Sequence, residues 1–114
     1  MIILKKTVML KKNYEFKNVF QKGKVFKGTL MNVFIKRNFY NNTFGIAIGR
    51  KAGNSVKRNR IKRLIRENYK NLETKIPNGY SIVILWKNKD IYKNVSFYEI
   101  KTELEKLLIK AELI

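Results

Sequence analysis

The chain has 114 residues, room for one compact domain and one modest core. Its 26 Lys and Arg stand against 8 Asp and Glu, for a net charge of +18, yet 45% of it is hydrophobic and 12% aromatic, too apolar for a disordered basic tail. With no Cys and no His it has no disulfide, thiol nucleophile, Ser–His machinery or ordinary zinc site, and so large a positive charge points to a polyanionic partner.

The opening Met1-Ile-Ile-Leu4 runs straight into Lys5-Lys6, too short for a signal segment or a membrane span. No later run approaches the about 18 apolar residues of a spanning helix, so the expectation is a cytoplasmic protein with no membrane partner. Residues 1–8 read as a flexible N-terminal arm and residues 9–114 as a single domain. Asn13 can cap a helix over residues 13–21, with Phe16, Val19 and Phe20 on one face and Gly23 ending it. Residues 25–27 and 29–36 read as strands, with Gly28 at a bend or bulge. Residues 37–42 are turn-like, and residues 43–49 form a mostly apolar strand expected at the sheet centre. Gly53-Asn54-Ser55 punctuates the chain and caps a helix over residues 56–72. A turn at Pro77-Asn-Gly79 leads to a continuous apolar strand, residues 80–86, whose Tyr80 and Trp86 read as core. Residues 90–93 suggest one helical turn. Ser96 then caps a last helix through about residue 109, with Phe97, Ile100, Leu104, Leu107 and Leu108 inward. The order α-β-β-β-α-β-α argues for a single-domain α/β sandwich.

The charge is unevenly spread. Residues 16–66 carry eight Lys and six Arg with no acid, for +14, whereas residues 67–114 carry eight Lys and seven acids, for +1. Lys outnumbers Arg 20 to 6, yet Arg58, Arg60, Arg63 and Arg66 fall within nine residues. Lys offers a point charge; Arg offers a planar fork that matches phosphate oxygens and stacks on bases. A merely solvated helix face needs only Lys.

At 100° per residue, Ile61, Leu64, Ile65, Tyr69 and Leu72 share one arc that must face the sheet. Opposite lie Asn59, Lys62, Arg63, Arg66 and Lys70, with Arg58 and Arg60 flanking the stripe near the helix start. Arg50 and Lys51 precede the Gly-Asn turn, and the helix N-terminal amides extend the same anion-binding patch. Phe16, Phe20 and Phe34 supply aromatic faces able to stack unpaired bases. Phenylalanines four residues apart are more often core, and spacing alone favours that reading here.

The stretch Lys51-Ala-Gly-Asn-Ser-Val-Lys-Arg-Asn-Arg-Ile-Lys-Arg-Leu-Ile-Arg66 resembles the defining motif of the bacterial ribonuclease P protein subunit, Arg-Asn-Arg-x-x-Arg on a helix after a Gly-Asn turn. Leu10-Lys-Lys-Asn-Tyr-Glu-Phe16-Lys-Asn-Val-Phe20 resembles the same family's first helix, and the likeness covers about residues 10–109. It implies a mostly four-stranded central sheet with a left-handed β-α-β crossover, against a rule obeyed about 98% of the time. It also implies a catalytic RNA partner that removes the 5′ leader of precursor tRNA with Mg²⁺ bound mainly by the RNA, with no organic cofactor and no protein partner required. By motif position, Arg58, Asn59, Arg60, Lys62, Arg63 and Arg66 fall where the family contacts that RNA or the adjoining cleft. Phe16, Phe20, Phe34, Lys51, Lys62 and Arg66 match positions lining a cleft for the single-stranded leader, and this turns the phenylalanines into a half-exposed platform. Phe34 stands where the family often has Tyr, so a hydroxyl contact is missing there.

The chain's own chemistry is thin. Asp90 is the only Asp, and Glu103 and Glu105 point in different directions along a helix, so no two-metal nuclease site is expected and no catalytic residue is assigned. The expectation is that the RNA hydrolyses the phosphodiester while the protein positions the leader. The alternative is a non-catalytic structured-RNA-binding or ribosome-associated module of similar fold.

Overall fold

The computed structural model describes residues 4, 6–90 and 94–114. In chain order the elements are β1 (Thr7–Met9), α1 (Asn13–Lys22), β2 (Lys24–Lys27), β3 (Met31–Arg37), β4 (Asn42–Ala47), α2 (Ser55–Leu72), β5 (Tyr80–Trp86) and α3 (Phe97–Lys110). The strands form one mixed sheet in the order β1-β4-β5-β3-β2. β4 runs parallel to β1 and β5, and β3 runs antiparallel to β2 and β5.

The sheet departs from the sequence reading in two features. The sheet has five strands among the described residues, because Thr7–Met9 pairs with β4 and takes in Thr7 and Val8 from the expected arm. Three residues are too few to show a period, and tertiary contacts hold them: the Thr7 and Tyr69 hydroxyls hydrogen-bond at 3.1 Å, and the Lys6 amide donates to Glu73 Oε2 at 3.1 Å. The central strand is β5 rather than β4, as its unbroken apolar run requires when both faces are covered. The single turn expected at residues 90–93 falls mostly outside the described residues.

Register sorts the two faces. Met31, Val33 and Ile35 pair with Trp86, Ile84 and Ile82, and these side chains form the main core with Phe44, Ile61, Ile65 and Tyr69 and with Ile100, Leu104 and Leu108 of α3. Burying such side chains contributes about 1.5–3 kcal/mol each. The opposite face carries α1, with Val19 and Val83 buried there apart from that main core. α1 starts differently from the sequence expectation. Lys12 holds the cap position, and its amide donates to Glu15 Oε1 at 3.0 Å.

β4, α2 and β5 form the β-α-β unit for which the resemblance implies a left hand; its strands are parallel neighbours from Thr43↔Ser81 to Ala47↔Leu85. α3 does more than cover the sheet. The Glu103 carboxylate accepts from the amides of Thr29, Leu30 and Met31 at 2.7–3.0 Å, closing the β2–β3 loop. Gly28 stands at the β2–β3 bend, as expected, and a Cβ there would lie 2.8 Å from both Glu103 Cδ and the Met31 carbonyl oxygen.

Candidate nucleic-acid interface

The basic helix is aimed by its first turn. Gly53 adopts φ +138°, a conformation open to glycine, and Asn54 Oδ1 accepts from the Lys57 amide at 2.9 Å to cap α2. Arg58 Nη1 donates to the Gly53 carbonyl at 2.9 Å, so one of the four motif arginines fastens the turn as well as carrying charge. Ile61, Ile65, Tyr69 and Leu72 then bury toward the core. Asn68 is buried too, donating to the carbonyls of Leu64 and Phe97.

The outer face of α2 carries the cations. The helix holds seven Lys or Arg and one acid, Glu67, which pairs with Arg63 at 3.3 Å. Asn59, Arg60, Arg63 and Lys70 are exposed, and Lys62 and Arg66 half-buried, so Lys62, Arg66 and Lys70 form a ridge one turn apart. Among the described residues Arg60, Lys62, Arg66 and Lys70 make no hydrogen bond or ion pair.

A cleft of about 530 Å³ opens between α1 and α2, lined by Phe16, Lys17, Phe20, residues 46–48 and Lys62. Its existence follows from the short first strand. β1 ends at Met9↔Phe44, with the Leu10 amide closing on the Phe44 carbonyl at 2.8 Å, so beyond Phe44 the edge of β4 opposite β5 is unpaired among the described residues. Gly45 sets the depth: a Cβ there would lie 2.5 Å from the Phe16 ring, so only glycine lets that ring settle on the sheet. Phe20 meets Phe34 edge-on, with centroids 4.8 Å apart. All three rings are half-buried, supported beneath and open above.

The structure thus brings together Phe16, Phe20 and Lys62, with Phe34 joined through Phe20. Lys51 and Arg66 do not line this cleft. Lys51 lies with Arg50 in a short 3-10 turn, Arg50–Ala52, beside a separate groove with Trp86 and Lys89. Arg66 sits one turn beyond Lys62 on the α2 ridge. Sequence reasoning missed Lys17 and Ile46 as lining residues, and it missed Gly45. A glycine inside an apolar strand was the available signal for the last.

Among the described residues no three Asp, Glu, His or Cys side chains gather as a metal centre would require. Among the same residues no helix is long and apolar enough to cross a membrane.

Comparison with known proteins agrees in sequence and in fold. Residues 4–112 match the family model described as Ribonuclease P. The chain is 36% identical over 104 residues to the ribonuclease P protein component of Clostridium botulinum (strain 657 / Type Ba4), covering 90% of this chain and 92% of that one. It superposes on the Staphylococcus aureus RNase P protein with TM-score 0.81 and 30% identity, covering 92% of this chain and 95% of that one. The Thermotoga maritima RNase P protein gives TM-score 0.79 at 27% identity, covering 90% and 96% respectively.

Proposed function

The chain belongs to the ribonuclease P protein family, as the protein subunit of the tRNA-processing endoribonuclease, and from that membership we propose a division of labour in which this chain binds RNA and its RNA partner does the chemistry. This reading takes precedence over a general structured-RNA-binding or ribosome-associated module, since family model, relatives and neighbouring structures converge on one assembly.

In the proposed arrangement Arg50, Lys51 and the outward cations of α2 dock on the catalytic RNA. The Phe16–Phe20 cleft receives the single-stranded 5′ leader of precursor tRNA, with Lys62 at the seam between the two RNAs. The observation that carries the proposal is that seam: half-buried aromatic rings and a cation of the Arg-rich helix share one cleft. Stacking on such rings contributes about 1–3 kcal/mol per base without regard to sequence, as a subunit serving many precursors needs. A net charge of +18 also screens the repulsion between two RNAs brought into contact.

The chain's carboxylates do not converge on a Mg²⁺ site among the described residues. We therefore place Mg²⁺ with the RNA, where it supplies charge neutralisation and an activated water for hydrolysis. Precursor tRNA and catalytic RNA meet this chain in the cytoplasm.

The test is a comparison of affinities in the reconstituted holoenzyme. Phe20→Ala weakens binding of leader-bearing precursor by about fivefold or more relative to mature tRNA. Equal losses for the two tRNAs would return Phe20 to a purely structural role.

A further inference from the structure

A second hollow, of about 590 Å³, lies on the α1 side of the sheet, across that helix from Phe16 and Phe20. Register places its floor. Lys36, Ser81 and Thr43 pair in one row across β3, β5 and β4, whereas Phe34, Val83 and Gly45 form the row beneath the aromatic cleft. At 100° per residue Phe16 and Phe20 leave α1 on one flank, Tyr14, Asn18 and Gln21 leave it on the other, and Lys17 lies on the outer ridge between them. Lys17 accordingly lines both hollows.

The walls of this hollow have the chemistry of a nucleotide site. Tyr14 on α1 is 67% exposed and Tyr40 on the β3–β4 turn is 65% exposed, so two rings stand in water with a polar floor between their elements. Tyr40 is not on a loose tip. Its amide donates to Asn38 Oδ1 at 2.9 Å, and Asn38 Nδ2 donates to Ser81 Oγ, also at 2.9 Å, tying the turn to the hollow's floor. Lys36 Nζ donates to Asn18 Oδ1 at 2.7 Å, which fixes the amide and leaves its NH₂ group to donate outward. Glu15 also lines the hollow, but its Oε1 accepts from the amides of Lys11 and Lys12 at the start of α1. The remaining charged lining is Lys17 and Lys36. A volume near 590 Å³ lies within the about 300–1,000 Å³ of sites that enclose small ligands.

We propose that this hollow holds an unpaired nucleotide of the leader, upstream of the stretch in the Phe16–Phe20 cleft, with the strand crossing α1 at Lys17. The inference rests on the leader reading of that cleft. The direction follows from placement: Lys62 closes the cleft on the α2 side, which faces the catalytic RNA, so the strand leaving over α1 is the upstream one. Tyr40 and Tyr14 present faces for the base, the Asn18 and Gln21 amides meet its edge, and Lys17 and Lys36 meet the flanking phosphates. Sequence tolerance is retained, because rings and amides that rotate suit any base.

The experiment uses the holoenzyme reconstituted with its catalytic RNA. Two precursors are compared, one whose leader ends within the cleft and one extended upstream, each against mature tRNA. With the unaltered protein the extended leader binds more tightly than the short one, and Tyr40→Ala cuts that advantage by about fivefold. A photoreactive thiouridine placed upstream cross-links to Tyr40 or Tyr14, whereas one placed next to the cleavage site does not. An unchanged advantage in Tyr40→Ala with no upstream cross-link overturns the proposal while leaving the cleft intact. A loss shared by short-leader precursor and mature tRNA overturns it in favour of a contact with the catalytic RNA. If the unaltered protein does not distinguish short-leader precursor from mature tRNA, the leader reading of the cleft fails and this proposal fails with it. Thermal midpoints of the variant and the parent check that the turn still folds.

Discussion

Tyr69 shows how a residue legible as core carries more than volume. Its position on the apolar arc of α2 is readable from spacing, but its partners come from strands distant in sequence. The ring stacks on Phe44 with centroids 3.9 Å apart, and the hydroxyl meets Thr7. Burial pushes its pKa from 10.0 up to about 12; the negative charge of Glu73 adds to the rise, and the Thr7 hydrogen bond opposes it. The consequence has a definite sign. Below pH 10 the ring is protonated whether the chain is folded or not, so its contribution is fully present; from pH 10 to about 12 only the unfolded chain releases the proton, and stability falls. The slope is about 1.4 kcal/mol per pH unit for this one group. Urea midpoints of the parent and Tyr69→Phe across that window isolate it from the other titrating residues. The gap between them shifts toward the variant as pH rises, and a constant gap would contradict the assignment. At this scale the motif was legible and the division of labour within it was not. Arg58 reads as one more phosphate contact until its bond to the Gly53 carbonyl is seen, and nothing near Glu103 announces a loop 72 or more residues away.

Among the elements, those with strong internal periods were legible from the chain alone. The strand over residues 80–86 is found where the apolar run put it, and Ser96 caps α3, accepting from the Glu99 amide at 3.1 Å. β1 was not legible, since its three residues gain their partners from β4 and Tyr69 rather than from their own pattern. The cleft was half legible. Resemblance gave the phenylalanines, whereas the open edge that makes the cleft depends on where β1 stops. α3 illustrates an element whose polar side matters as much as its apolar one. Glu103→Gln keeps the shape beside Gly28 but withdraws the charge that three amides share. It lowers unfolding free energy by about 1–3 kcal/mol, measured by urea denaturation. No loss would mean that the β2–β3 loop closes without it.

For the whole molecule the decisive property is where +18 is placed. Counting by segment located it in residues 16–66, and the fold gathers its sharpest part onto one outward ridge of α2. Because Arg66 has no protein partner among the described residues, Arg66→Ala reports RNA contact with little structural cost. It reduces the slope of log affinity for the catalytic RNA against log salt by about one unit, and an unchanged slope removes Arg66 from the contact surface. The larger claim is that this chain lends binding and charge while the RNA lends chemistry. The most direct measurement is the Mg²⁺ dependence of precursor cleavage by the catalytic RNA with and without the protein. Adding the protein lowers the Mg²⁺ needed for half-maximal cleavage. Cleavage equally efficient at low Mg²⁺ without the protein would contradict it.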